Sequence, residues 1–188
     1  DIYGMVAASQ ALTTIVPTRD SLVFDIGWSG TDCYLIQSDA LIAVGRSFMG
    51  GHFFTRSLAQ TFKQDTDAAE ALKLAYSSPN VLSTEDQNLV QRGLQKPLQR
   101  WADLMAEIIV DLAEKDTLPS TLYFVGGAAA LPGLKEGLLT RLKSQGVTFE
   151  RTPEIRMLGE TPLVGYRYAP TGFRGVLFAL ALSLAKTV

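Results

Sequence analysis

Two hydrophobic periods divide this chain. Ser21 to Gly27 (SLVFDIG) is a short, nearly continuous apolar run that closes on an acid and a glycine, the pattern of a buried strand. Asp32 to Gln37 and Ala40 to Ser47 follow, rich in β-branched and aromatic residues and joined at Ser38-Asp39, which predicts a hairpin. Beyond Gly50-Gly51 the period changes. Phe54, Leu58 and Phe62 stand four apart, and Asp65-Thr66-Asp67 opens a second helix over Ala68 to Ser77. Ser83 and Asp86, with Thr84 and Gln87, form capping patterns ahead of a long stripe: Leu94, Leu98, Trp101, Met105, Ile108 and Leu112. Pro97 falls inside that stripe and predicts a kink or a split.

Thr121 to Val125 predicts another buried strand, then a helix from about Pro132 to Ser144 closed by Gly146, and a short strand over Val147 to Glu150. Thr152 to Tyr168 reads as irregular. Helical spacing at the two ends predicts a first helix over Ile2 to Leu12 and a last one capped by Thr171. The order of elements points to an α/β fold, a mixed sheet with helices packed on it.

Composition narrows the function classes. A net charge of −2 with no basic stripe argues against nucleic acid as a partner. Cys33 is the only cysteine and His52 the only histidine, so neither a disulfide framework nor an ordinary zinc site can be built, and a reducing, cytoplasmic setting fits. The apolar run from Gly175 to Ala185 is too short for a membrane span of about 20 residues. Cys33 and Trp101 read as core, His52 as a helix-start residue, and Arg151, Arg156 and Arg167 as solvated loop charge.

Three segments carry candidate chemistry. In Asp25-Ile26-Gly27-Trp28-Ser29-Gly30-Thr31-Asp32 a strand turns back on itself. Gly27 and Gly30 permit a tight turn, its N–H groups with the Ser29 and Thr31 hydroxyls suit phosphate oxygens, and Asp25 suits Mg²⁺ held through water. An ordinary Asp-stabilised hairpin explains the same residues. Glu70 and Lys73 share a helix face, either as a grip on ribose hydroxyls or as a solvated ion pair. Gly126-Gly127-Ala128 leaves a strand end open to a flat base or sugar near a helix N-terminus, or marks a close packing point.

In this order the three segments resemble the second half of the actin-like ATPase superfamily, most of all its FtsA/PilM-like branch. Asp25 to Thr31 is similar to that family's second phosphate motif. Gly126 to Gly133 is similar to its adenosine motif, and Glu70 with Lys73 to its ribose-side pair. GGHFFTRSLAQTF, EALKLAYSS and YAPTGFRGVLFALALSLA extend the resemblance over nearly the whole chain. The resemblance implies a ribonuclease H-like second lobe spanning residues 1–188, with a helical insertion around 52–116. It implies ATP and Mg²⁺ as cofactors. The implied nucleotide contacts are Asp25, Gly27, Ser29, Gly30, Thr31, Glu70, Lys73, Gly126, Gly127 and Ala128, with Asp25 on the metal.

The resemblance also implies a role in cell division or pilus assembly, with peripheral location at the inner membrane through partners. Those partners would be a tubulin-like division protein or a pilus inner-membrane protein, with self-polymerisation possible. The chain opens at Asp1 without an initiator Met, and an N-terminal lobe carrying the first phosphate motif is expected in the parent protein. Half of an ATPase site is expected to turn over little ATP by itself. One departure bears on function: the family turn DIGGGTTD stands here as DIGWSGTD, with an indole beside the phosphate path. A scaffold that keeps the fold without nucleotide chemistry is the alternative. A sugar-kinase or exopolyphosphatase relative would need a catalytic acid that this chain does not supply.

Overall fold

The computed structural model describes residues 20–38, 40–113 and 117–157. The predicted end helices and Arg167 lie outside the described residues. The elements are β1 (Ser21–Ile26), β2 (Thr31–Gln37), β3 (Ala40–Ser47), α1 (Gly51–Phe62), α2 (Thr66–Tyr76), α3 (Thr84–Ala113), β4 (Thr121–Val125), α4 (Leu134–Ser144) and β5 (Glu154–Met157). The strands form one mixed sheet in the order β3-β2-β1-β4-β5. β1, β2 and β3 are an antiparallel meander, whereas β1 pairs with β4, and β4 with β5, in parallel. The α/β expectation therefore holds.

Period-two alternation sends Leu22, Phe24 and Ile26 of β1, Cys33 and Leu35 of β2, and Leu122 and Phe124 of β4 into one core. Against them pack Phe54 and Leu58 of α1, Leu94, Trp101, Met105 and Ile109 of α3, and Leu138 and Leu142 of α4. Cys33 and Trp101 are fully buried, as their sequence context predicts.

Caps fix where the helices begin. The Asp65 carboxylate accepts the Ala68 N–H at 2.8 Å to start α2. Ser83 accepts the Asp86 N–H at 3.1 Å and donates to the Asp86 carboxylate at 2.7 Å to start α3. No helix among the described residues is long and apolar enough to cross a membrane.

Two expectations need correction. The stretch is not split at Pro97: helix α3 runs continuously from Thr84 to Ala113. The proline removes the N–H that would bond the Gly93 carbonyl, and the helix is held instead by the burial of Leu94, Trp101 and Met105 on either side. Gly93 gives α1 room, since a Cβ there would stand 3.2 Å from the Phe62 ring. The strand expected at Val147–Glu150 is reduced to one bridge between Phe149 and Leu118. The true fifth strand, Glu154–Met157, lies in the stretch read as irregular. Its charged residues alternate with half-buried Ile155 and Met157, a signal too short to register as a strand.

Candidate functional site

The β1–β2 turn, the start of α1, helix α2 and the exit of β4 meet at one point. Within the turn, the Gly27 N–H donates to the Gly30 carbonyl at 2.9 Å. The turn then anchors the start of α1: the Gly51 N–H donates to the Gly27 carbonyl at 2.8 Å and the His52 N–H to the Trp28 carbonyl at 2.9 Å. Glycine is required for this approach. A Cβ on Gly50 would lie 2.5 Å from the Gly27 oxygen and 2.7 Å from the Trp28 oxygen, and one on Gly30 would lie 2.4 Å from the Ser47 oxygen. Gly30 thus sets a backbone contact with β3. On the far side, the Ala128 N–H donates to the Ile26 carbonyl at 3.0 Å, tying the Gly126-Gly127 exit to the end of β1.

Lys73 sits at the centre and is buried. Its ammonium donates to Glu70 Oε2 at 2.7 Å, to the Thr55 hydroxyl at 3.0 Å and to the Gly51 carbonyl at 3.2 Å. All three of its hydrogens are used. The Thr55 hydroxyl also reaches the Gly51 carbonyl at 3.0 Å and contacts Glu70 Oε2, so one buried threonine organises the pair. Glu70 and Lys73 are therefore an ion pair built into the fold, with the Glu70 side chain 26 % exposed. The Trp28 ring, 54 % exposed, lies 5.3 Å from the Lys73 nitrogen in cation–π geometry.

A small cavity of about 120 Å³ opens here, lined by Gly27, Trp28, Gly51, Glu70, Lys73, Gly127 and Ala128. Five of the predicted contacts, Gly27, Glu70, Lys73, Gly127 and Ala128, thus share one hollow. Ser29 does not line it and instead faces a neighbouring cavity beyond Trp28. Thr31 is turned inward. It is fully buried, its hydroxyl donating to the Met49 carbonyl at 2.8 Å and accepting the Trp101 indole N–H at 3.0 Å. Its hydroxyl is committed to holding α3 on the sheet, and the expectation of a phosphate contact fails for it on geometry. The alternation of Thr31 with Cys33 and Leu35 was the available signal.

Asp25 does not line this hollow; it lies against Gly126 and has a partner that sequence reasoning left out. Asp25 and Asp32 are direct cross-strand neighbours in the β1–β2 ladder. Burial, and secondarily the charge of Asp32, raises the Asp25 carboxyl above its ordinary value. Burial also raises Asp32, against the lowering effect of Arg46 at 3.4 Å. Gly126, at φ +100°, leaves room for Asp25: a Cβ there would meet Asp25 Oδ1 at 2.5 Å. The second acid of the DIG…GTD pattern was the signal for Asp32. Among the described residues, no group of three or more His, Cys, Asp or Glu converges on a metal position. Asp25 and Asp32 are the paired carboxylates at the turn end of the β1–β2 ladder, with Glu70 already bound to Lys73, and two carboxylates suit an ion that keeps most of its water.

The mixed sheet with its packed helices has the fold of the actin-like ATPases, as similar solved structures show. One similar solved structure is a PilM–PilN type IV pilus biogenesis complex, with TM-score 0.68 and 24 % identity over 99 % of this chain. Another is the ethanolamine utilization protein EutJ from Carboxydothermus hydrogenoformans, with TM-score 0.58 and 24 % identity over 82 % of the chain. The matches cover 51 % and 47 % of those two proteins, so the chain spans about half their length. No family model and no curated protein matches the sequence.

Proposed function

We propose that this chain is the ATP- and Mg²⁺-binding second lobe of an FtsA/PilM-like protein, whose nucleotide state governs self-assembly or partner binding in pilus assembly or cell division. One observation carries the reading: Gly27, Glu70, Lys73, Gly127 and Ala128, drawn from three separated segments, line the same hollow. In this reading Asp25 and Asp32 hold Mg²⁺ through its water. The Gly27 turn faces phosphate oxygens, and Gly30 keeps that turn close to β3. Glu70 and Lys73 meet the ribose, while Gly126, Gly127 and Ala128 leave a flat surface for the adenosine. Bound Mg²⁺ would neutralise phosphate charge. About 120 Å³ holds a sugar ring but not a whole nucleotide, which fits a site completed by a second lobe.

A second reading has an observation of its own. Lys73 already has three acceptors and an indole over it, the arrangement of a scaffold whose old site is closed. A fluorescent ATP analogue titrated into the full-length protein, with and without Mg²⁺, separates the two. Saturable, Mg²⁺-dependent binding that Asp25→Asn weakens is expected. Binding that appears only in Trp28→Gly would instead establish the closed scaffold.

A further inference from the structure

On the outer side of Trp28 lies a second cavity, of about 350 Å³, walled by Trp28, Phe48, His52 and Phe53 and rimmed by Arg56 and Gln60. Its aromatic walls are unusually open for large apolar groups: Phe48 is 85 % exposed and Trp28 54 %. Single exposed apolar residues need no explanation, but two beside one concave site do. The Trp28–His52 wall is also held in place before anything binds. The His52 N–H donates to the Trp28 carbonyl at 2.9 Å, and the two rings meet at a 39° tilt with centroids 4.8 Å apart. A rigid aromatic surface loses little conformational freedom on binding.

The lining carries one charge, that of Arg56, and no carboxylate among the described residues. His52 Nδ1 is shielded from solvent and has no hydrogen-bond partner among the described residues. A guanidinium next to aromatic rings is the composition found where a few residues dominate a protein interface. The volume suits one or two side chains.

We infer that this cavity is a docking site for a partner polypeptide that inserts an aromatic side chain and sets a neighbouring carboxylate against Arg56. The cavity shares Trp28 with the nucleotide hollow and includes Ser29, but the inference rests on Phe48 and Arg56, which are not candidate nucleotide contacts.

The test uses the nitrogen-labelled full-length protein and a blocked tetrapeptide of Phe and Asp, compared with the same peptide carrying Lys in place of Asp. The acidic peptide is expected to shift the Trp28 indole N–H saturably while the buried Trp101 indole stays still. The lysine peptide should bind roughly tenfold more weakly or worse. Phe48→Ser and Arg56→Glu should each weaken the acidic peptide roughly tenfold. An unmoved Trp101 signal in each variant verifies the fold, and retained affinity for the ATP analogue gives a second check. Equal binding of the two peptides, or undiminished binding by Arg56→Glu, would overturn the inference. So would the absence of a Trp28 shift. A Trp28 shift that grows with protein concentration and needs no peptide would make a second copy the occupant, and would also overturn it.

Discussion

Lys73→Met tests whether the centre of the site is held by its charge. The Lys73 side chain is 5 % exposed and faces Glu70 Oε2 at 2.7 Å. Methionine keeps the length and apolar volume of the stem but removes three donors at once. Breaking a buried pair by deleting one partner costs about 3–5 kcal/mol, because the surviving charge is left uncompensated. Here Glu70 keeps about a quarter of its surface in water, so solvent recovers part of that loss and the expected cost is about 2–3 kcal/mol. Adding Glu70→Gln removes the stranded carboxylate and should return about 1–2 kcal/mol of it. Urea unfolding of the parent, both single variants and the double variant measures this. With a slope of about 1–3 kcal/mol per molar urea, the midpoint of Lys73→Met should fall by about 0.7–3 M. A loss below about 0.5 kcal/mol, the range of an ordinary surface change, would refute the reasoning. So would strict additivity in the cycle, since the buried pair could then not be what orders α1, α2 and the turn.

Two further outcomes follow from neighbouring residues. Gly126→Ala places a Cβ 2.5 Å from both Asp25 Oδ1 and the Ile26 oxygen at φ +100°, and should cost at least about 2 kcal/mol by thermal melting. Gly127→Ala meets nothing within 4 Å and should stay within about 0.5 kcal/mol. The carboxyls of Asp25 and Asp32 are raised in the folded chain, so the native state holds protons that the unfolded chain has released. Their contribution is therefore lost as pH rises from the ordinary value of 3.8 through the raised values. Asp25→Asn should flatten this slope and raise the neutral-pH melting temperature of the metal-free protein, while Mg²⁺ should stabilise the parent and not the variant.

Much of the fold was legible because its signals are local. The alternation in β1 to β3, the Asp65 and Ser83 caps and the four-residue steps of α1 and α3 each lie within a few positions of one another. The convergence of the DIG turn, the Glu70–Lys73 pair and the Gly126–Gly127 exit was legible as an ordered set, though not its geometry. What escaped depends on contacts distant in sequence. Trp101 and Thr31 bond across 70 positions, and Thr55 reaches Glu70 across 15. Gly93 makes room for Leu58 and Phe62 of α1, a role that depends on a helix more than thirty positions earlier packing against it. Trp28, noted as a departure from the family turn, proves to be a wall shared by two cavities rather than only an obstacle.

The parallel pairing of β1 with β4 sets a schedule for synthesis. Partners such as Leu22 and Leu122 stand 100 positions apart, whereas β2 and β3 follow β1 directly. At about 5–20 residues per second on the ribosome, β1 waits roughly 5–20 s for the strand that completes its other edge. During that interval the meander can already pair, but Val23 and Phe24 present an open, apolar strand edge of the kind that recruits other chains. Helices α1 to α3 emerge in the gap and can shelter one face of β1, but they cannot supply its missing backbone partners. The long crossover that builds the site therefore also makes the newborn chain dependent on keeping that edge covered until β4 arrives.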